Sequence, residues 1–570
     1  MRVLLNAFIT FIMILLVMPA FSSQSSGNVV QEHLSIESYE GPQTCIACHE
    51  EEAHDALNSV HMQWSGPTPN LSNTDGESLG KGDAGINTFC TYAPSSKGAC
   101  YGCHIRADGN SGHAPEVGDV DCLMCHNDTY QRTTVMDKDN PITVENILGE
   151  TRKYIFGKQD PVTGDYTTVP NFDKMPAGTT MVDLAQNVHM PTKKSCLRCH
   201  AKAGGGDWTK RGDMGLSSAT PSVYEDVHMS AHEGGADMTC TSCHKGDKHK
   251  IGGRGIDLRA DETAAPTCID CHEAQPHSDK ELNRHANGQV ACQTCHISEF
   301  AKGGATEMSR NWLEPHWNPA FCAGQGGFVG HEIKQSNVKP EYRFFDGTSY
   351  VYNVGETIEP NADGTYTMAK ANGSIFDGVS KIVPIKNHWS NMPLHDETQQ
   401  IIAPEIMQMF MIGDFDVAVQ KGMENMGLSG DYTMIDVNAE MLITHGVGPE
   451  NTALECQDCH DMSGETPDGS RQLSFTELGY HNWPEQVKNC TLCHEPKDSL
   501  SFTKMHKEHT DGEENISCQS CHSGEPTGLV MAPGALCSDC HEYKSPNGFD
   551  DEDHKHHIEK GTQCNECHIF

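Results

Sequence analysis

Twelve copies of Cys-x-x-Cys-His, a composition only 36% hydrophobic with 54 Gly and 28 Pro, and one long stretch free of the motif predict the fold class. They point to a multihaem cytochrome: mainly short α-helices and loops wrapped around packed haems, with a small β-hairpin-containing, haem-free insertion. A chain this poor in apolar residues cannot close an ordinary core at 570 residues, and a dozen macrocycles supply the missing apolar surface. The apoprotein is expected not to fold.

In chain order the first four motifs are Cys45, Cys48 and His49; Cys100, Cys103 and His104; Cys122, Cys125 and His126; and Cys196, Cys199 and His200. The next four are Cys240, Cys243 and His244; Cys268, Cys271 and His272; Cys292, Cys295 and His296; and Cys456, Cys459 and His460. The last four are Cys490, Cys493 and His494; Cys518, Cys521 and His522; Cys537, Cys540 and His541; and Cys564, Cys567 and His568. In each, two thioethers fix a porphyrin and the adjacent histidine lies beneath the iron. With 26 Cys and 33 His in the chain, chance would supply about 0.07 copies. Disulfide scaffolds and zinc ribbons do not place His after every second Cys. The expected cofactor is therefore twelve covalently bound haem c groups, with the twelve motif histidines as proximal iron ligands.

The N-terminus reads as an export signal over residues 1–23. Met1-Arg2 is a short positive start, Val3 to Val17 is almost wholly apolar, and the residues up to Ser23 are small enough for cleavage. Nothing later is apolar enough to cross a membrane, so the mature chain is expected in the periplasm or outside the cell, without a transmembrane segment. Asp plus Glu outnumber Lys plus Arg by 79 to 40, a formal charge of -39, which repels nucleic acid. The expected partners are redox proteins, such as quinol-linked or periplasmic cytochromes, and beyond them extracellular acceptors or neighbouring subunits.

Seven motifs lie between Cys45 and His296, residues 297–455 carry none, and five crowd between Cys456 and His568. Within the gap, Lys339 to Tyr352 and Thr365 to Met368 alternate aromatic or β-branched with polar residues around Asp-Gly turns, predicting small hairpins. Pro404 to Leu428 has helical amphipathicity through Ile406, Met409, Phe410, Phe415, Val417 and Val419, and should stop near Gly427.

Several stretches carry a resemblance to one known family. They are Thr44-Cys-Ile-Ala-Cys-His49 followed by His61-Met-Gln-Trp64, Asn87-Thr-Phe-Cys90, Val120-Asp-Cys-Leu-Met-Cys-His126 and Cys243-His-Lys-Gly-Asp-Lys-His249. Further on come Leu282-Asn-Arg-His285 before Cys292, Val338-Lys-Pro-Glu-Tyr-Arg343, and Thr444-His-Gly-Val447 before Cys456. Together they resemble the tetrathionate-reductase-family octahaem c-type cytochromes, over about residues 40 to 485, a span that contains eight motifs. The resemblance implies an octahaem body made of a seven-haem part (24–300), the haem-free insertion (301–450) and an eighth haem (451–485). The last four motifs, in 486–570, look like a class III-type tetrahaem module.

Twelve haems each need a second axial ligand to be six-coordinate, and 21 histidines remain outside the motifs. Three stand in Val-His-Met: His61, His189 and His228. The other distal candidates are His249, His277, His285, His445, His481, His506, His509, His554 and His557, with methionine ligation the rival at the Val-His-Met sites.

In the resembled family the haem of the second motif carries a lysine ligand, which leaves its opposite face open to substrate. Here Ile105 to Asp121 contains no lysine, and Arg106 has no lone pair for iron. His113 would close that haem; Lys97, Lys193 or Lys194 would reopen it. Cys90 and Cys322, which stand outside the motifs, either pair in a disulfide or leave Cys90 as a thiol near the second haem. Two functions follow. One is extracytoplasmic respiratory electron transfer through mostly bis-histidine haems. The other is reduction of tetrathionate, nitrite or hydroxylamine at the haem of Cys100 and Cys103, with Cys90 and His113 as candidate site residues.

Overall fold

The computed structural model describes residues 31–86, 105–106, 114–162, 166–261, 263–375, 377–455, 458–459 and 478, together with 522–523 and 530–531. The export signal, Cys90, Lys97, His113 and the second motif (Cys100, Cys103 and His104) lie outside the described residues. So do Cys456 and His460 of the eighth motif, Cys490, Cys493 and His494 of the ninth, and Cys518 and Cys521 of the tenth. Cys537, Cys540 and His541 of the eleventh and Cys564, Cys567 and His568 of the twelfth lie outside them as well. Of the C-terminal module the description holds one short ladder, His522–Ser523 against Val530–Met531, which takes in the proximal histidine of the tenth motif.

The motif-bearing part has the short elements the composition predicts. Its helices run for four to eight residues, and several are built on the motif itself: Gln43–Ile46, Leu123–His126, Lys193–His200, Cys240–Cys243 and Cys292–His296. Local chemistry starts them. Thr192 Oγ1 accepts from the backbone N–H of Lys194 and Ser195, and Ser195 Oγ accepts from Thr192 N–H at 2.7 Å, a reciprocal cap on the fourth motif. Small two-stranded ladders, Arg132–Thr134 with Thr168–Pro170 and Ile142–Glu145 with Thr151–Tyr154, fill the loops between.

The haem-free insertion is larger in regular structure than the expected hairpins. Seven strands form one mixed sheet: β1 Thr306–Asn318, β2 Gly327–Gln335, β3 Glu341–Phe345, β4 Ser349–Val351, β5 Tyr366–Ala371, β6 Lys381–His395 and β7 Tyr432–Leu442. The order is β2-β1-β6-β7-β5-β4, with β3 also paired to β6. The central β6–β7 ladder is antiparallel over eleven residue pairs, whereas β5 joins β7 and β1 joins β6 in parallel. The turn signals marked strand ends; they could not reveal that distant strands pair into one sheet.

The predicted helix at 404–428 is two helices, α1 Ile406–Ile412 and α2 Phe415–Met426. Gly413 divides them at φ 86°, a left-handed conformation in which its missing Cβ also clears Phe328 and Ile147. Asp414 then caps α2 by accepting from Asp416 N–H at 3.0 Å. Gly427, at φ 70°, ends α2 where the sequence suggested. The apolar faces of α1 and α2, through Ile406, Met409, Phe415, Val419 and Met423, pack with Trp312, Phe328, Met392 and Val437 of the sheet.

The sheet also buries charge. Lys386 on β6 is fully buried, and its Nζ donates to the carbonyls of Thr209 (2.8 Å) and Lys210 (3.1 Å) and to Thr306 Oγ1 (2.9 Å). Beside it His388 bonds Glu307 at 3.2 Å, and Arg310 pairs with Glu307 and Glu332. Lys386 thereby ties the sheet to the loop that follows the fourth motif. Burial lowers its pKa to about 7, so the unfolded chain binds more protons than the folded one between about pH 7 and 10.5. Stability should therefore rise with pH across that window, by a few kcal/mol at most. In Lys386→Met that portion of the slope should vanish when unfolding of the haem-loaded protein is followed at pH 7 and 9.5; an unchanged slope would show that Lys386 is not the group responsible.

Candidate haem-binding site

Among the described residues, each of the six complete motifs presents its histidine to a second imidazole. His33 faces His49, with ring centroids 6.1 Å apart, His61 faces His200 at 6.0 Å and His249 faces His126 at 6.5 Å. The others are His228 with His272 at 6.1 Å, His445 with His244 at 6.0 Å and His277 with His296 at 6.0 Å. An iron bound by two imidazole nitrogens at about 2 Å each sets the ring centroids roughly 6 Å apart. The residues thus fit haem c on three counts: two thiols at the fixed spacing, a following imidazole, and an opposing imidazole at the span of a six-coordinate iron.

The thiols of these motifs sit at the rim of the fold. Cys48, Cys243 and Cys271 are exposed, while Cys45, Cys122, Cys125, Cys196, Cys199, Cys240, Cys268, Cys292 and Cys295 are half-buried. A thioether needs its sulfur at the porphyrin edge, so partial exposure suits attachment better than a place in a closed core.

Hydrogen bonds fix the tautomers. His126 Nδ1 donates to the carbonyl of His189 at 3.0 Å and His244 Nδ1 to that of Gly252 at 2.7 Å, which leaves each Nε2 lone pair available to a metal. His445 Nδ1 faces the carboxylate of Asp213 at 3.0 Å. Burial then keeps several rings neutral, as a ligand must be. It lowers the pKa of His61, His126, His244 and His296 below the usual histidine value and takes His200 down to about 3. Burial alone would raise the Asp213 carboxyl, but Arg211, held at 3.3 Å, and His445 outweigh it and keep it ionised.

The elements that bring these rings together come from both parts of the chain. The seventh motif docks on the sheet: Ala291 N–H and Thr294 Oγ1 both donate to the carbonyl of Ile382 at the start of β6. His445 follows directly on the end of β7, where Ile443 N–H donates to Pro384 O. Leu454, just ahead of the eighth motif, donates its N–H to Cys295 O of the seventh at 3.0 Å, and Cys459 packs near Tyr342, Phe344 and Ile382.

Of the distal candidates read from sequence, His61, His228, His249, His277 and His445 stand opposite a motif histidine. Among the described residues, His189 faces no motif histidine. Its Nδ1 donates to Met190 O at 2.8 Å and its Nε2 accepts from Asp128 N–H at 3.2 Å, so both ring nitrogens are engaged by backbone while its own carbonyl orients His126. His285 lies on the helix Lys280–Asn287. His481, His506, His509, His554 and His557 lie outside the described residues. Sequence reasoning missed His33. The available signal was that His33 is the sole histidine ahead of the first motif.

Two residues after the second motif in sequence, Arg106 is buried and paired with Asp119 at 3.5 Å. Lys193 is committed elsewhere, its Nζ donating to Met229 O at 2.7 Å and to Asp237 at 2.9 Å, and Lys194 is exposed. Cys322 starts the turn into β2, its thiol near Gly327, and burial raises its pKa to about 11. Its suggested partner Cys90 lies outside the described residues. No helix among the described residues is long and apolar enough to cross a membrane.

Residues 317–463 match the family described as "Cytochrome c bacterial". An uncharacterized protein of Archaeoglobus fulgidus is 25% identical over 265 residues, which covers 40% of this chain and 80% of that protein. The octahaem cytochrome c of Shewanella oneidensis superposes with a TM-score of 0.61 at 26% identity, over 81% of this chain and 98% of its own. In fold and in sequence, the chain is similar to a multihaem c-type cytochrome.

Proposed function

We propose that the protein is a dodecahaem c-type cytochrome that carries electrons outside the cytoplasm, through haems mostly ligated by two histidines. The observation that carries this reading is the set of six motif histidines, each facing a second imidazole at 6.0–6.5 Å. Haem c, when bound, takes up and releases single electrons. The likeness to an octahaem cytochrome c supports redox chemistry for the body of the chain, and the four C-terminal motifs extend it.

The proximity of neighbouring motif thiols supports an order for such a relay. The Cys45 thiol interacts with Cys122, Cys196 with Cys240, and Cys268 with Cys292. Between those pairs, Cys125 lies within electrostatic reach of Cys196, and Cys243 within reach of Cys268 and Cys271. Among the described residues, tethering points thus follow one another from the first motif through the third, fourth, fifth, sixth and seventh, with Leu454, just ahead of the eighth, beside Cys295. A series of closely tethered redox groups serves conduction; a catalyst needs one coordination position held open. An acidic surface directs the docking partner to be a cationic redox protein or an oxidised acceptor.

The ring planes add detail. Four pairs cross at 61–70°, whereas His244 and His445 meet at 29° and His277 and His296 at 8°. Crossed axial rings act equally on the two iron orbitals that parallel rings would split. Electron paramagnetic resonance of the oxidised protein should accordingly show only low-spin ferric haem, with a nearly axial population outnumbering a rhombic one, unmoved by nitrite. A high-spin signal that shifts with nitrite would replace conduction with the reductase reading. Pyridine haemochrome analysis should count twelve haems per chain, and eight would sink the dodecahaem assignment.

Substitution tests the ligand that sequence reasoning missed. His33→Ala should leave the haem count unchanged and convert one haem to a five-coordinate, high-spin form able to bind cyanide. If its spectrum matches the parent, His33 does not ligate the first haem.

A further inference from the structure

The rings of His244 and His445 differ from the other pairs in what stands behind them. Asp213, buried, sets a carboxylate against the back of His445: Oδ2 accepts from Nδ1 at 3.0 Å and also from the backbone N–H of His445 (3.1 Å) and Thr444 (2.9 Å). Thr444 Oγ1 lies 3.2 Å from the same Nδ1. On the other side Asp213 meets the Arg211 guanidinium at 3.3 and 3.5 Å. The loop that carries both residues is held by Lys386, through the carbonyls of Thr209 and Lys210.

Among the described residues, the other paired rings have no carboxylate at hydrogen-bonding distance. His126 and His244 donate Nδ1 to backbone carbonyls, and Nδ1 of His33 and of His277 is buried without a hydrogen-bond partner. His49 and His228 have carboxylates only at 3.8 and 4.0 Å, beyond that distance.

We infer that Asp213 is a positioning residue that fixes the Nδ1–H tautomer of His445 and makes its Nε2 a more electron-rich donor, setting the haem of Cys240 and Cys243 at a lower potential than its neighbours. A carboxylate acceptor raises the basicity of a metal-bound imidazole more than a carbonyl does, and a more basic ligand favours ferric over ferrous iron. This inference rests on the proposed ligation of that haem by His244 and His445. Within the relay, such a haem would be the step that electrons enter least readily.

The test is a double-mutant cycle on the haem-loaded full-length chain, read by spectroelectrochemical titration. Asp213→Asn should move one haem upward by about tenfold in its ferric-to-ferrous equilibrium constant, near 59 mV for one electron. In a His445→Met background, where no Nδ1 exists, the same substitution should move nothing. Asp213→Glu keeps the charge if the asparagine variant fails to assemble, and should shift the same haem in the same direction by less. No shift in either Asp213 variant overturns the inference; so does an equal shift with and without His445, which would be a general effect of charge or packing. His445→Met alone reports on the underlying ligation: an absorption and resonance spectrum identical to the parent would show that His445 is not a ligand, a failure separate from that of Asp213.

Discussion

The structure depends on one distance. Among the described residues, six pairs of imidazoles face each other across a span that suits a six-coordinate iron, and the motif cysteines beside them are half-buried or exposed, where a porphyrin edge could reach them. Within the described residues, His33 with His49 and His277 with His296 join histidines close in sequence; the other four pairs bridge remote segments. Each remote pair closes a long loop, whose entropy the bound group must offset. Short helices suffice as a consequence, because an element of four residues needs only to aim one ring and two sulfurs.

Neutrality is the second requirement, and it conflicts with the chain's surface. A formal charge of -39 would favour protonated histidines near the surface, yet ligation needs a free lone pair. Burial answers this for His61, His126, His200, His244 and His296, all of which are pushed below the ordinary histidine range. Carbonyls of Gly252 and His189 then choose the tautomer. Polar loops serve this purpose well, since a loop carbonyl is not already committed to a ladder or a helix.

The motif residues were legible in sequence because covalent attachment demands a fixed local spacing. Distal ligands were less so. His61 and His228 share Val-His-Met with His189, yet among the described residues only the first two face a motif histidine, while Asp128 N–H and Met190 O engage both nitrogens of His189. His33 carried no local pattern at all. In the insertion, Asp-Gly turns and aromatic alternation marked β3, β4 and β5, but β6 is a nearly continuous buried run whose partners lie both before and after it in the insertion. Pairing of that kind is a tertiary fact, invisible to a period-two pattern.

Two kinds of core therefore share one chain. The sheet and its two helices bury Trp312, Phe328, Tyr352, Met409 and Phe415 in an apolar cluster built of side chains, which corrects the expectation that this chain cannot close an ordinary core, while among the described residues the motif-bearing part has smaller clusters such as that of Ile105, Leu123 and Met124. The boundary between them is polar and crowded: Lys386 holds the Thr209–Lys210 backbone, Arg211 holds Asp213, and Asp213 holds His445. A conventional core is rigid because it is close-packed. Anchoring ligand rings to its edge, at Ile382 for the seventh motif and just beyond β7 for His445, transfers that rigidity to a region too poor in apolar residues to generate its own. The long haem-free gap is thus the part of the chain that lets the haem-bearing part keep its geometry.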